Sequence, residues 1–149
     1  MAIAQAMCTA FKQELMLGTH NFATNGNAFK LALYAEGGGG KSSTTATLGA
    51  TTTAFTTTGQ ASGTNYTSGG AALTNVTPSA TGTTAVTDFA DLTFSTATIT
   101  ARGCMIYNDT NSDKSVATID FGGDKTSTAG DFTIVFPAKA ASTAIIRIA

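Results

Sequence analysis

Two stretches of this sequence place chemistry-bearing residues at suggestive spacings. Ala35-Glu36-Gly37-Gly38-Gly39-Gly40-Lys41-Ser42 fits a permissive phosphate-loop pattern and follows a strand-like run. Such a loop works because the amides and dipole at the start of the next helix hold the phosphates. From Ser42 onward the sequence SSTTATLGATTTAFTTTG is poor in helix formers and lacks apolar periodicity. No nucleotide cofactor is therefore expected, and the four glycines read as a flexible loop. Asp109-Thr110-Asn111-Ser112-Asp113 has the D-x-N-x-D spacing that opens an EF-hand calcium loop. Lys114 then stands where that loop needs glycine, and Asp120 where it needs a bidentate Glu. The stretch reads instead as a hairpin loop, because Asn and Asp bond their own backbone and tolerate left-handed conformations. No metal is expected.

The remaining inventory for acid–base or nucleophilic work is small. His20 is the one histidine and has no cysteine or acidic residue beside it in sequence, so it reads as a structural, hydrogen-bonded or solvent-facing side chain. Cys8 and Cys104 are far apart, form no CxxC pair, and read as two buried reduced thiols. Asp88 and Asp91 read as lying on opposite or turn-separated faces. Arg102, next to Gly103 at an expected strand break, reads as bridging subunits or holding a carbonyl. No catalytic residue emerges, and the chain does not read as an enzyme.

The elements that must position these residues follow from composition and period. Only 11% of the 149 residues are charged, the net charge is −1, and Thr supplies about a fifth of the chain. Dispersed Lys and Arg give no electrostatic footprint for nucleic acid or an anionic membrane. Thr is β-branched and sits well on a pleated surface. The opening has no basic segment ahead of an apolar core, so no leader peptide is expected. Ile3, Met7, Phe11 and Leu15 recur every four residues, with Cys8 and Met16 widening the stripe, and Gly18 supplies a stop. This predicts one amphipathic helix over residues 1–18, covering an open end of the remaining domain or reaching a neighbouring subunit.

The period then changes to two. Phe29, Leu31 and Leu33 alternate with Lys30, Ala32 and Tyr34, which predicts a half-buried strand. Residues 36–70 read as a long Gly/Thr-rich loop or short exposed strands around Phe55 and Tyr66. Further short strands are expected at Leu73–Val76, Val86–Phe94, Ala97–Ala101, Cys104–Tyr107, around Ala117–Phe121, at Phe132–Phe136 and at Ala144–Ile148. Gly122-Gly123-Asp124 reads as opening a connection that closes at Gly130. The whole is a single domain, residues 1–149: an all-β antiparallel sandwich or jelly roll of seven to eight short strands (19–149) with one N-terminal helix.

The opening MAIAQAMCTAFKQELMLG, the centre ATITARGCMIYNDTNSDKSVATIDFGGDKTSTAGDFTIVFP and the ending AIIRIA resemble a group of small virion proteins from tailed bacteriophages. The likeness runs over nearly the whole chain and is least specific in residues 36–70. It implies a structural component of the particle and carries no catalytic or binding residue across. The expected role is head decoration, cementing adjacent capsomers on the outer head surface, after assembly in the host cytoplasm. Its partners would be the major capsid protein and copies of itself, with no nucleic acid, membrane, small-molecule substrate or cofactor. A tail or neck subunit is the alternative; a glycan-binding module stacking sugars on Tyr34, Tyr66 or Tyr107 is a third. The expected contact residues are Ile3, Met7, Phe11 and Leu15 from the helix stripe, and Ile145, Ile146 and Ile148 from the terminal strand, because one small domain cannot cover every apolar stripe.

Overall fold

A long antiparallel hairpin organises the molecule. The computed structural model describes residues 3–35 and 47–149, and the phosphate-loop-like residues Glu36 to Ser42, Lys41 among them, lie outside that range. In chain order the elements are β1 (Ala6–Met7), α1 (Thr9–Met16), β2 (Phe29–Tyr34), β3 (Gly63–Thr64), β4 (Ala71–Ala72), β5 (Asn75–Thr81), β6 (Thr84–Phe89), β7 (Leu92–Asn108), β8 (Lys114–Ile134) and β9 (Ile146–Ile148). One sheet runs β1-β8-β7-β2-β4, with β3 also on β7, and a second runs β5-β6-β9. Among the described residues every pairing between these strands is antiparallel. The fold is all-β, sandwich-like, with one short helix near its start.

β7 and β8 pair from Leu92↔Ile134 to Asn108↔Lys114. Several of the short strands expected from sequence are thus pieces of two long ones. Arg102-Gly103 is not a strand break, and Gly122 to Gly130 is not a connection. These residues mark irregularities inside continuous strands. Ala101 pairs with Lys125 and Gly103 with Asp120, so residues 121–124 bulge opposite Arg102. Bulges of this kind bend the strand and increase its twist.

The helix is shorter than the stripe of apolar residues predicts. Residues 9–16 are helical, whereas Ala6–Met7 pair with β8 and Ile3 bridges Leu48 in parallel. The physical reason is that a spacing of four does not distinguish a helix from extended chain, and here the backbone of this segment is taken up by pairing with Leu48 and β8, with Ile3 in one cluster and Met7 against the other. Cys8 is extended, and its N–H donates to Val116 O (3.0 Å), which commits the preceding backbone to the sheet. The far end closes as expected. Gly18 takes φ +73°, its N–H reaches Leu15 O (3.1 Å), and the Thr19 N–H reaches Glu14 O (2.9 Å), a Schellman closure.

The main core lies between the two sheets and under α1. It joins Phe11 and Phe22 to Phe29, Leu31, Leu33, Cys104 and Ile106 of the large sheet and to Phe89 and Ile146 of the small one. Phe22 and Phe29 stack with centroids 4.4 Å apart.

β2 departs from its expected half-burial, because its second face is covered too. Ala32, Tyr34, Met105 and Tyr107 pack with Ile3, Leu48 and Phe55 in a second cluster. The cover is the segment 47–70, and tyrosines staple it down. The Tyr34 hydroxyl donates to Thr56 O (2.6 Å) and that of Tyr107 to Gly69 O (2.7 Å), while Phe55 stacks on Tyr107 at 4.7 Å. Tyr66 accepts the Leu33 N–H (2.8 Å), satisfying an amide beyond the short reach of β4.

Gly103 sits where three segments converge. A Cβ there would lie 2.4 Å from Ile119 O and 2.9 Å from Ile3 Cγ2, whereas one on Gly123 would meet open space. Gly103→Ala should therefore destabilise the fold by roughly 1–3 kcal/mol through overpacking, and Gly123→Ala should be close to neutral. Thermal unfolding of the two variants checks this, at about 2–4 °C per kcal/mol for a domain of this size.

Candidate docking surface

The seven residues singled out in the sequence separate into two groups. Ile3 and Phe11 are fully buried, the first in the cluster under segment 47–70 and the second in the main core. They hold the chain to itself and present no surface. The other five lie along a seam between the end of α1, β1 and β9. Ile146 is nearly buried and pairs through its backbone with Thr87, which fixes β9 as the outer strand of the small sheet. Arg147 anchors the turn before it by donating to Ala141 O (3.0 Å).

Two grooves open on either side of Ile146. The first, about 110 Å3, is lined by Leu15, Phe22, Pro78, Ala85, Val86, Thr87, Ile146 and Ile148. The second, about 270 Å3, lies between Gln5–Met7, Ala117–Ile119 and Ile145–Ile146, where the outer strands of the two sheets face each other. At the first groove Ile148 is 52% exposed. Directly after Leu15, Met16 and Leu17 are 83% and 73% exposed. In the sequence Met16 widens the apolar stripe, and Leu17 stands outside it. The signal that marks Leu17 is its place at the helix C-cap, just before the Gly18 stop.

The residues with chemical potential are committed inside the chain. His20 is buried and uses both ring nitrogens: Nε2 lies 2.9 Å from Glu14 Oε2 and Nδ1 lies 2.9 Å from Asn108 Nδ2. Asn108 Oδ1 accepts the Asn111 N–H, so its amide nitrogen points at the ring. Nδ1 is then the acceptor and Nε2–H the donor. Glu14 also receives Lys114 Nζ, and Asn111 donates to Thr19 O, so the cluster ties α1, the loop 19–27 and the hairpin tip together. The acidic partner of His20 was invisible as a neighbour because six residues and the Schellman turn separate it from Glu14. Burial acts to raise the Glu14 carboxyl, but hydrogen bonds from Lys114 and His20 and the Lys114 charge outweigh it and hold it below its ordinary value.

Other candidates resolve similarly. Asp109 pairs with Lys30 (2.9 Å) and the Asp113 carbonyl accepts the Phe55 N–H, in a hairpin loop with Ser112 and Asp113 left-handed. That loop is the one its Asn and Asp residues predict. Among the described residues no group of three or more His, Cys, Asp or Glu is placed to hold a metal ion. Asp88 and Asp91 cap separate amides, those of Phe89 and Phe136. Arg102 pairs with Asp120 on the facing strand (3.0 Å). Cys8 donates weakly to Gly49 O, and burial pushes its thiol up. Burial pushes the Cys104 thiol up to about 12. Tyr34 and Tyr107 are buried and Tyr66 packs on Phe94, so none of these rings stands free as a stacking platform.

No helix among the described residues is long and apolar enough to cross a membrane. Comparison with protein-family models, curated proteins and solved structures finds no match to this chain.

Because the folded-state value of Glu14 lies below its ordinary 4.5, its contribution is complete above that range and is lost as pH falls through the lowered value. Glu14→Gln should cost roughly 1.5–3 kcal/mol at neutral pH, the usual range for hydrogen bonds to a charged group. The gap between variant and wild type should narrow on acidification below about pH 4.5. Urea unfolding over a pH series measures both.

Proposed function

We propose that this protein is a non-enzymatic structural component of a tailed-bacteriophage particle, acting as a head decoration protein that binds between capsomers. The observation that carries the reading is the apolar seam at the end of α1 and β9. Leu15, Ile146 and Ile148 line a groove, Ile148 is half-exposed, and Met16 and Leu17, which follow Leu15 at the end of α1, stand in solvent. A chain with this little charge has few charged groups with which to grip a partner, and exposed large apolar side chains next to an apolar groove mark interaction sites. The internal commitment of His20, Glu14, Arg102 and the tyrosines agrees with a body that presents surfaces rather than reactive groups. The likeness of both ends and the centre to small virion proteins supplies the setting.

Mechanically, each copy would bury a modest apolar area on the shell. Many copies repeated by the shell's symmetry would then add through effective concentration. A tail or neck subunit would dock by the same seam, and copy number separates the two. In a quantitative gel of purified particles a decoration protein approaches the abundance of the major capsid protein, whereas a tail component is far scarcer.

Met16→Ser and Leu17→Ser together should leave thermal stability near wild type, since both side chains are exposed. Binding to capsids lacking this protein should fall at least about tenfold, the equivalent of roughly 1.4 kcal/mol. Undiminished capsid binding by the double variant would remove the seam from the account.

A further inference from the structure

The loop before β2 holds a dipeptide with chemistry of its own, Asn25-Gly26. The chain has seven asparagines, and this one differs from the other six. The carboxamides of Asn21, Asn27, Asn65, Asn75, Asn108 and Asn111 all take part in hydrogen bonds. That of Asn25 has no partner among the described residues, and the residue is exposed. Each of the other six is followed by a residue with a side chain, whereas Asn25 is followed by glycine. Packing demands that glycine: its φ is not positive, but a Cβ on it would run into the backbone carbonyl of Asn21. The Gly26 N–H closes the turn onto Ala23 O (2.8 Å), and Asn75 Nδ2 donates to the same carbonyl (3.0 Å). The turn therefore sets a free carboxamide next to an uncrowded backbone nitrogen.

The reaction open to that pair is an intramolecular ring closure, favoured because nucleophile and carboxamide belong to one dipeptide. Hydroxide removes the Gly26 amide proton, and the nitrogen attacks Asn25 Cγ. The N–Cγ bond forms, the Cγ–Nδ2 bond breaks, and the side-chain nitrogen leaves as ammonia. Water then opens the five-membered imide. Cleavage at Cγ gives aspartate. Cleavage at the main-chain carbonyl gives isoaspartate, whose backbone runs through Cβ and Cγ and is one carbon longer. The bond from Gly26 to Ala23 has to open first, because the attacking nitrogen is the one that closes the turn.

We infer that Asn25 is a site of spontaneous deamidation, and that isoaspartate there loosens the network that holds the end of α1. The link is Asn27, two residues on. Its Oδ1 accepts the Asn21 N–H (2.8 Å), Asn108 Nδ2 (3.1 Å) and Asn111 Nδ2 (3.2 Å). An added main-chain carbon and a new negative charge this close displace that oxygen. Asn108 and Asn111 also bond His20 and Thr19, so the disturbance reaches the turn that ends the helix. Older chains thereby differ from new ones at a defined place. The modification is independent of the docking role proposed above, and its failure leaves that role to be judged on Met16 and Leu17.

Peptide mapping by mass spectrometry, on the folded full chain incubated at mildly alkaline pH, tests the site. Asn25 should gain the mass difference between amide and acid about tenfold faster than any other asparagine, a barrier lower by about 1.4 kcal/mol. Equal rates at the seven positions, or a faster change at another, would overturn the proposal. Asn25→Gln has a longer side chain that does not close the five-membered ring. It should fold as wild type does, because Asn25 is exposed and unpartnered, and the mass gain should vanish from the tryptic peptide 13–30. A gain that persists there contradicts the assignment to Asn25. For the structural consequence, the isoaspartate form is separated by ion exchange and its amide hydrogen exchange is followed by NMR. The Asn21 and Asn111 amides should exchange several-fold faster than in the unmodified chain, and equal protection would sever the link to α1.

Discussion

The pairing of β7 with β8 is the interaction on which the remainder of the molecule depends. β2 and β3 hydrogen-bond to β7, β1 hydrogen-bonds to β8, and the Cys8 amide that starts α1 is held by Val116 of β8. The small sheet joins this frame through packing, with Phe89 and Ile146 in the same cluster as Phe29 and Ile106. The hairpin closes through the short loop 109–113, so its closure costs little chain entropy, and its tip is well fastened. Asn108, Asn111 and Lys114 at the tip bond His20, Thr19 and Glu14, which turns the hairpin end into the anchor for α1.

Fixing α1 in this way determines what the surface offers. The Schellman turn at Gly18 ends the helix abruptly, and Leu15 is left at a groove with Met16 and Leu17 outside it. β9 returns beside β6 and brings Ile146 and Ile148 to the same groove. The polar network and the apolar seam are thus two sides of one arrangement: the first uses up the groups capable of chemistry, and the second leaves uncharged contact area in solvent.

Much of this frame was legible in the residues. The alternation of Phe29, Leu31 and Leu33, the Asn/Asp turn before Lys114 and the stop at Gly18 each have a local cause, and local causes are readable. Three features were not. The length of α1 was hidden because a four-residue period serves a helix and a strand face equally, and the sheet's claim on the Cys8 amide decides between them. The length of β7 and β8 was hidden because Gly103, Gly122 and Gly130 look like breaks, whereas the long-range pairing absorbs them as bulges and close approaches. The burial of Tyr34 and Tyr107 depends on segment 47–70 folding back over the sheet, a non-local event with no period of its own. For the proposed docking surface, Leu15, Ile146 and Ile148 come from counting apolar residues that one small domain cannot cover, and they line one groove. Ile3 and Phe11 were not distinguished from them, because burial is decided in three dimensions.

The central claim is that the protein works by seating its apolar seam on a larger shell. The most direct measurement is a cryo-EM map of the intact particle at a resolution that places side chains. The account predicts density for this fold on the outer head surface between capsomers, with Met16, Leu17 and Ile148 at the contact. Density on the head that touches the shell through another face, with this seam in solvent, would contradict it.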